Sequence, residues 1–253
     1  MDMLLKEKFL GYWRQYFGGA DLPIVFYYTD EETQGTPVEF KQEEEKPRCF
    51  IGQLARVLAG EDLRLNVKSI GCSGGRSYTG FQEMRMPNFE YFISCGIEGK
   101  MSGERYKRTP QIALENMKLR PKFKAPAKNI VFKRWDRLKE ADSPEVVIFF
   151  ASPDVLSGLF TLSNFEEGGL TNVLAPFSSG CGSIITWPSI ERAKNGNASY
   201  LGMFDISARP FVPANTLSLA MPMEKFARII DCMEESFVIT DSWSKVRARI
   251  QSS

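Results

Sequence analysis

"PEVVIFFASPDVLSGL", residues 144–159, decides how the rest of the chain is read. Its apolar run from Val146 to Ala151 is far short of the ~20 residues a membrane helix needs, so it reads as a buried central strand. Ser152, Pro153 and Asp154 then form a helix start. Serine can cap, proline suits the first helical position, and a carboxylate in the first turn faces the positive helix end.

Outward from this strand–helix junction, other segments carry equally clear patterns. Leu4, Leu5, Phe9, Tyr12, Trp13 and Tyr16 recur at spacings of three and four, an amphipathic helix closed by Gly18-Gly19. "PIVFYY" (23–28), "RLNVKSIG" (64–71), "FEYFISCG" (89–96), "NIVFKRW", "ASYLGMFD" and "TLSLAMP" read as strands. Helices are expected over 48–60, 109–119, 183–194, 223–236 and 241–250, with Thr109-Pro110 a further cap-and-proline start. "KQEEEKPR" (41–48) reads as a solvated approach to the second helix, with Pro47 near its start. Strands and helices interleave without strict alternation, which favours α+β with a mixed or antiparallel sheet and packed helices over a doubly wound sheet. One compact domain, 1–253, is expected, with "RPKFKAPAK" (120–128) the best boundary candidate.

The bulk numbers exclude more than they assign. Lys+Arg 32 against Asp+Glu 31 leaves a net charge of +1, so no global field recruits nucleic acid or an anionic membrane. The N-terminus mixes charges through its apolar residues and is no signal peptide, which makes the cytoplasm the expected location. Histidine is absent, removing Ser-His-Asp and Cys-His nucleophiles and every imidazole metal site. Five cysteines in a chain this long form no dense disulfide framework, so free thiols are expected.

Three of those thiols have suggestive surroundings. Cys49 opens an expected helix, Cys72 begins the glycine-rich "CSGGRSYTG" (72–80), and Cys181 lies in "APFSSGCGSIITWPS" (175–189). A helix N-terminus favours thiolate, and a thiolate can be nucleophile, redox centre or soft-metal ligand. An iron–sulfur cluster or zinc on Cys49, Cys72 and Cys181 is therefore one reading. Against it, the gaps of 23, 23 and 86 residues from Cys49 through Cys72 and Cys95 to Cys181 match no local knuckle. The bland alternative is that each cysteine is a small buried hydrophobe, which fits Cys232 best. A third reading takes Cys72, Gly74, Gly75 and Arg76 together with Ser179, Gly180, Cys181 and Arg209 as the walls of a cleft for an anionic ligand. Converging amides would hold the anion and the arginines would add forked donors. The 72–80 loop has neither the Lys-Ser/Thr ending of a P-loop nor dinucleotide glycine spacing.

An internal echo strengthens the pairing of the two Gly-Cys segments. Each is followed by serine and glycine, then by "SYTG" or "SYLG", suggesting halves near 20–120 and 128–225. With "RCFIGQLARVLAGE" (48–61), "GCSGGRSYTG" (71–80), "PEVVIFFASPDVLSGL" and "SSGCGSIITWP" plus "GNASYLGMFDISAR" (178–209), the chain resembles the prokaryotic family called domain of unknown function 169. The resemblance implies a cytoplasmic α+β protein of archaea and bacteria with no assigned reaction. In it Cys49, Cys72, Cys181, Gly71, Gly74, Gly80, Gly202 and Arg209 occupy recurrent positions. The expectation is a protein that binds a small anionic ligand or cofactor, without nucleic acid or membrane partners and with homo-oligomerisation left open. A thiolate metalloprotein or enzyme, and an accessory protein with structural cysteines, stand as alternatives.

Overall fold

The computed structural model describes residues 1–37, 49–84 and 86–252. The charge cluster 41–48, Pro47 included, lies outside the described residues. Contacts divide the chain into two units, one of Met1–Gln82 with Lys124–Ser253 and one of Glu83–Phe123. The second division point lies inside 120–128, the boundary candidate of the sequence.

The larger unit runs α1 (Met3–Phe17), β1 (Ile24–Thr29), β2 (Thr36–Pro37), α2 (Phe50–Leu58), β3 (Leu63–Leu65) and α3 (Ser73–Tyr78). The smaller unit follows with α4 (Phe89–Phe92), β4 (Gly96–Ile97), β5 (Met101–Ser102) and α5 (Pro110–Leu119). The larger unit then resumes with β6 (Asn129–Arg134), β7 (Val146–Ala151), α6 (Pro153–Asn164) and β8 (Val173–Leu174). A π-helical segment, Gly182–Thr186, leads into α7 (Trp187–Ala193), followed by β9 (Ser199–Gly202), β10 (Leu217–Pro222), α8 (Met223–Cys232) and α9 (Asp241–Gln251). The fold is α+β, built on one mixed eight-stranded sheet and a two-stranded hairpin.

The large sheet has the order β2-β3-β6-β1-β7-β10-β9-β8. Both edge pairs, β2–β3 and β8–β9, are parallel, and the pairs between them are antiparallel. At the centre Val25 pairs with Val147, flanked symmetrically by Ile24–Ile148 and Phe26–Val146. Each half of the sheet places its first strand at the centre, its fourth beside it, then its third, with its second at the edge. A helix lies between second and third strands in both halves, α2 in one and the helix carrying Cys181 in the other. Topology therefore aligns Cys49 with Cys181, where the sequence echo paired Cys72 with Cys181.

Alternation along the strands builds two different faces. On one, Val25, Val147, Phe149, Leu219 and Met221 meet α1, α6, α8 and α9 in a core containing Phe9, Trp13, Phe17, Trp135, Phe226 and Trp243. The Phe9 ring is 4.9 Å from Trp135 and 5.0 Å from Phe226. On the other, Phe26 and Phe132 pack under Phe50 of α2, with ring centroids 5.5 and 5.7 Å apart. α1 starts where Asp2 accepts the Leu4 and Leu5 amides, and it ends at Gly18, before Gly19 turns at φ +102°.

Two strand expectations are corrected here. Only Arg64 and Leu65 of "RLNVKSIG" pair, as the end of β3, because the Asn66 side chain accepts the Lys68 and Ser69 amides at 2.9 and 3.2 Å and turns the chain. "FEYFISCG" begins as α4, since Phe89 and Phe92 stand three apart and their rings stack at 6.0 Å. Helical spacing there outweighs the strand propensity of aromatics.

Candidate functional site

On the α2 face of the sheet, three cysteines mark three helix starts. Cys49 precedes α2, Cys72 precedes α3, and Cys181 lies in the first turn of the helix leading through the π segment into α7. "CSGGRSYTG", read from sequence as a loop, folds as α3. Its two glycines are tolerated because packing overrides propensity. A Cβ added at Gly75 would lie 2.8 Å from Cys72 Sγ and from Ile70, and 2.9 Å from Phe50 Cβ. The Cys72 thiol replaces the usual capping hydroxyl, accepting the Gly75 amide at 3.2 Å. Gly74 faces open space.

The 175–189 stretch is likewise a loop only as far as Ser179. Ser179 Oγ accepts the Gly182 amide at 3.1 Å, and Asp205 Oδ2 accepts the Gly180 amide at 3.0 Å. The protein thus supplies its own anion at this helix start. The π turn follows from Pro188, which has no amide to continue the regular ladder; the Trp187 amide reaches back to Gly182. Thr186 Oγ1 donates to the Tyr78 carbonyl at 2.6 Å and ties this helix to α3.

The loop after β9 closes the arrangement. Met203 and Ala208 stand against Gly180, and Phe211 against Gly52 of α2. Arg209 spends its guanidinium on the loop itself, donating to the carbonyls of Met203, Pro213, Ala214 and Thr216. Asp205 pairs with neither Arg76 nor Arg209 among the described residues and accepts from Gly180 and Ser207. Arg76 is half-buried, and its Nε has no hydrogen-bond partner among the described residues.

Burial pushes the Cys181 thiol well above its ordinary pKa, with Cys72, Cys49 and Asp205 adding in the same direction. Burial also raises Cys49, against the opposing Ile51 and Gly52 amides, with smaller contributions from Cys72 and Asp205. Helix starts therefore do not make thiolates of these two, because desolvation outweighs the dipole. The helices that these cysteines begin are joined to one another, α2 to α3 by Phe50 against Gly75 and α3 to the Cys181 helix by the Thr186–Tyr78 bond. Cys95 is exposed in the smaller unit, and Cys232 is buried on α8, apart from that set. Among the described residues no group of three or more metal-ligating side chains is arranged to hold an ion, and no helix is long and apolar enough to cross a membrane.

Sequence reasoning missed two groups here. Asp205 is the cap of a helix 25 residues before it, a contact without local signal. Gln53, 7 % exposed in α2, buries Oε1 without a hydrogen-bond partner among the described residues. A glutamine amid "FIGQLARVL" is legible as a polar residue in an apolar stripe.

The fold and locus define an α+β protein with thiol-bearing helix starts gathered on one sheet face. The chain belongs to the family called domain of unknown function 169, described as uncharacterised ArCR, which matches residues 17–231. No curated protein and no solved structure matches it.

Proposed function

We propose that this protein binds a small anionic ligand or cofactor where α2, α3 and the helix carrying Cys181 meet. Cys49, Cys72 and Cys181 line the locus, with Arg76 as the group that faces the anion. The observation that supports this most is that the three helices begun by these cysteines touch, Phe50 of α2 against Gly75 of α3 and Thr186 bonded to the Tyr78 carbonyl, while α3 carries an arginine nitrogen that is buried and unpartnered among the described residues. Because Gly180 is held by Asp205 and Arg209 by carbonyls, the reading leans on the α2–α3 side of the locus. The two halves of the sheet are read as one duplicated β-β-α-β-β unit. Unpaired thiols fit a reducing compartment, so a cytoplasmic location is part of the proposal.

A second reading, a thiolate metal centre of iron–sulfur or zinc type, is favoured by three cysteines at the starts of three touching helices and disfavoured by the raised Cys49 and Cys181 thiols. One experiment separates the two. Protein purified without oxygen is examined by visible spectroscopy, metal analysis and native mass spectrometry. A colourless protein carrying a non-metal adduct, lost in Arg76→Met, is the expected result. A brown or zinc-loaded protein that is emptied by Cys72→Ser overturns it in favour of the metal centre.

A further inference from the structure

We infer that Gln53 and Arg76 form a paired recognition element for a small carboxylate bearing an adjacent hydroxyl or amine. The inference rests on the ligand-binding reading above. Gln53 follows Cys49 by four residues in α2, and Arg76 follows Cys72 by four in α3. Residues four apart share a helix face, and long side chains lean over the turn N-terminal to them. Both side chains therefore cover turns that begin with a thiol. The two helices are in direct contact, with Phe50 of α2 against Gly75 of α3.

Both have incomplete bonding, a condition shared among the described residues with Arg64, Ser189 and Ser218, and of these only Gln53 and Arg76 lie on the two touching helices α2 and α3. Gln53 is more than nine-tenths buried, yet its Oε1 has no partner among the described residues, and Arg76 Nε is buried in the same condition. Unpaired buried polar atoms are rare in folded proteins and call for a partner. Arg76 offers donors and suits a carboxylate. Gln53 Oε1 offers only an acceptor and needs an O–H or N–H. A plain carboxylate answers one of these groups; a carboxylate with a neighbouring hydroxyl or amine answers both.

The test compares lactate with propionate, which has the same carbon skeleton without the hydroxyl, by calorimetry and thermal denaturation of the full chain. Lactate is expected to bind about tenfold tighter than propionate, because propionate leaves a buried acceptor unpaired. In Gln53→Met the two acids should bind alike, and the melting temperature of the free protein should rise by about 2–4 °C as the orphan oxygen is removed. Gln53→Asn, polar but too short, should also lose the preference for lactate. Arg76→Met should bind neither acid. The inference is overturned if both acids bind the unaltered protein equally, if neither binds, or if the preference survives Gln53→Met. Should an anionic adduct co-purify while neither acid binds, this pairing fails and the ligand-binding reading stands. A protein without adduct that binds neither acid sinks both.

Discussion

The two faces of the large sheet are packed on opposite terms. The α1 face is aromatic and closed, with Phe9, Trp13, Trp135, Phe149 and Phe226 in contact and the indole nitrogens of Trp135 and Trp243 bonded to the Lys6 and Tyr16 carbonyls. The α2 face joins its helices through glycine, serine and cysteine, and leaves Gln53, Arg76 and Ser218 with unpartnered buried atoms. One face spends its residues on stability. The other keeps unsatisfied polar groups, which is where function is expected, since fold-level consistency is broken at sites.

The largest test of that contrast truncates the aromatic face. Phe149→Ala should cost about 3–5 kcal/mol in urea unfolding, by lost burial plus the cavity left behind. Cys49→Ala, on the other face, should cost far less. Similar loss to both would erase the distinction.

Charge is buried at the margin of the aromatic side. Lys133 Nζ and the Tyr27 hydroxyl both donate to Asp142 Oδ1, at 2.7 and 2.6 Å, and the Lys139 amide holds Oδ2 at 2.7 Å. Lys133→Met should destabilise by about 3–5 kcal/mol, because it strands a buried carboxylate, while adding Asp142→Leu should recover part of that loss. Burial pushes the Asp142 carboxyl up, but the bonds from Lys133, Tyr27 and the Lys139 amide outweigh it and leave it below its ordinary value. With the folded pKa below the unfolded one, its stabilisation is present above pH ~4 and disappears as pH falls through the lower folded value. Acid unfolding of the double variant should lack that step. Lys225 behaves in the opposite sense, its ammonium lowered to about 8 by burial. The unfolded chain then holds the extra proton, so stability should rise with pH from about 8 toward the free-lysine range, and Lys225→Met should flatten that rise.

Smaller effects probe the close packing of the α2 face. Gly75→Ala should cost about 1–3 kcal/mol, since the new methyl meets Cys72, Ile70 and Phe50 inside van der Waals range. Gly74→Ala, facing open space, should cost no stability by crowding. The gentlest probe leaves stability alone: under native conditions Cys95, exposed, should react first with a thiol reagent, and Cys181, buried with its thiol raised, should react only after unfolding. A fast Cys181 would mean that the α2 face opens in solution.

Long periodic segments were legible without coordinates. The α1 stripe, the Thr109-Pro110 and Ser152-Pro153 starts, and the apolar runs of β1, β6, β7 and β10 carry their period and start signals within ten residues, with Thr109 capping through its side chain and Ser152 only by position. Where local preference was weak or contradicted, the sequence misled. Gly74-Gly75 reads as a loop because nothing nearby tells that Phe50 packs on Gly75, and aromatic α4 reads as a strand. Gln53 was overlooked because an isolated polar residue in an apolar helix gains meaning only when its partners can be counted.

By itself the amino-acid order settled the absence of imidazole chemistry, the near-neutral charge and the α+β class, since these depend on composition and on periodicity over short windows, and it carried the kinship through four motifs in the family's order. Only tertiary structure decided that Cys49 is the topological counterpart of Cys181, that Asp205 caps a helix begun 25 residues earlier, and that the helices begun by Cys49, Cys72 and Cys181 touch. Those facts arise from strand order and burial, and desolvation and pairing energies depend on neighbours brought together from anywhere in the chain.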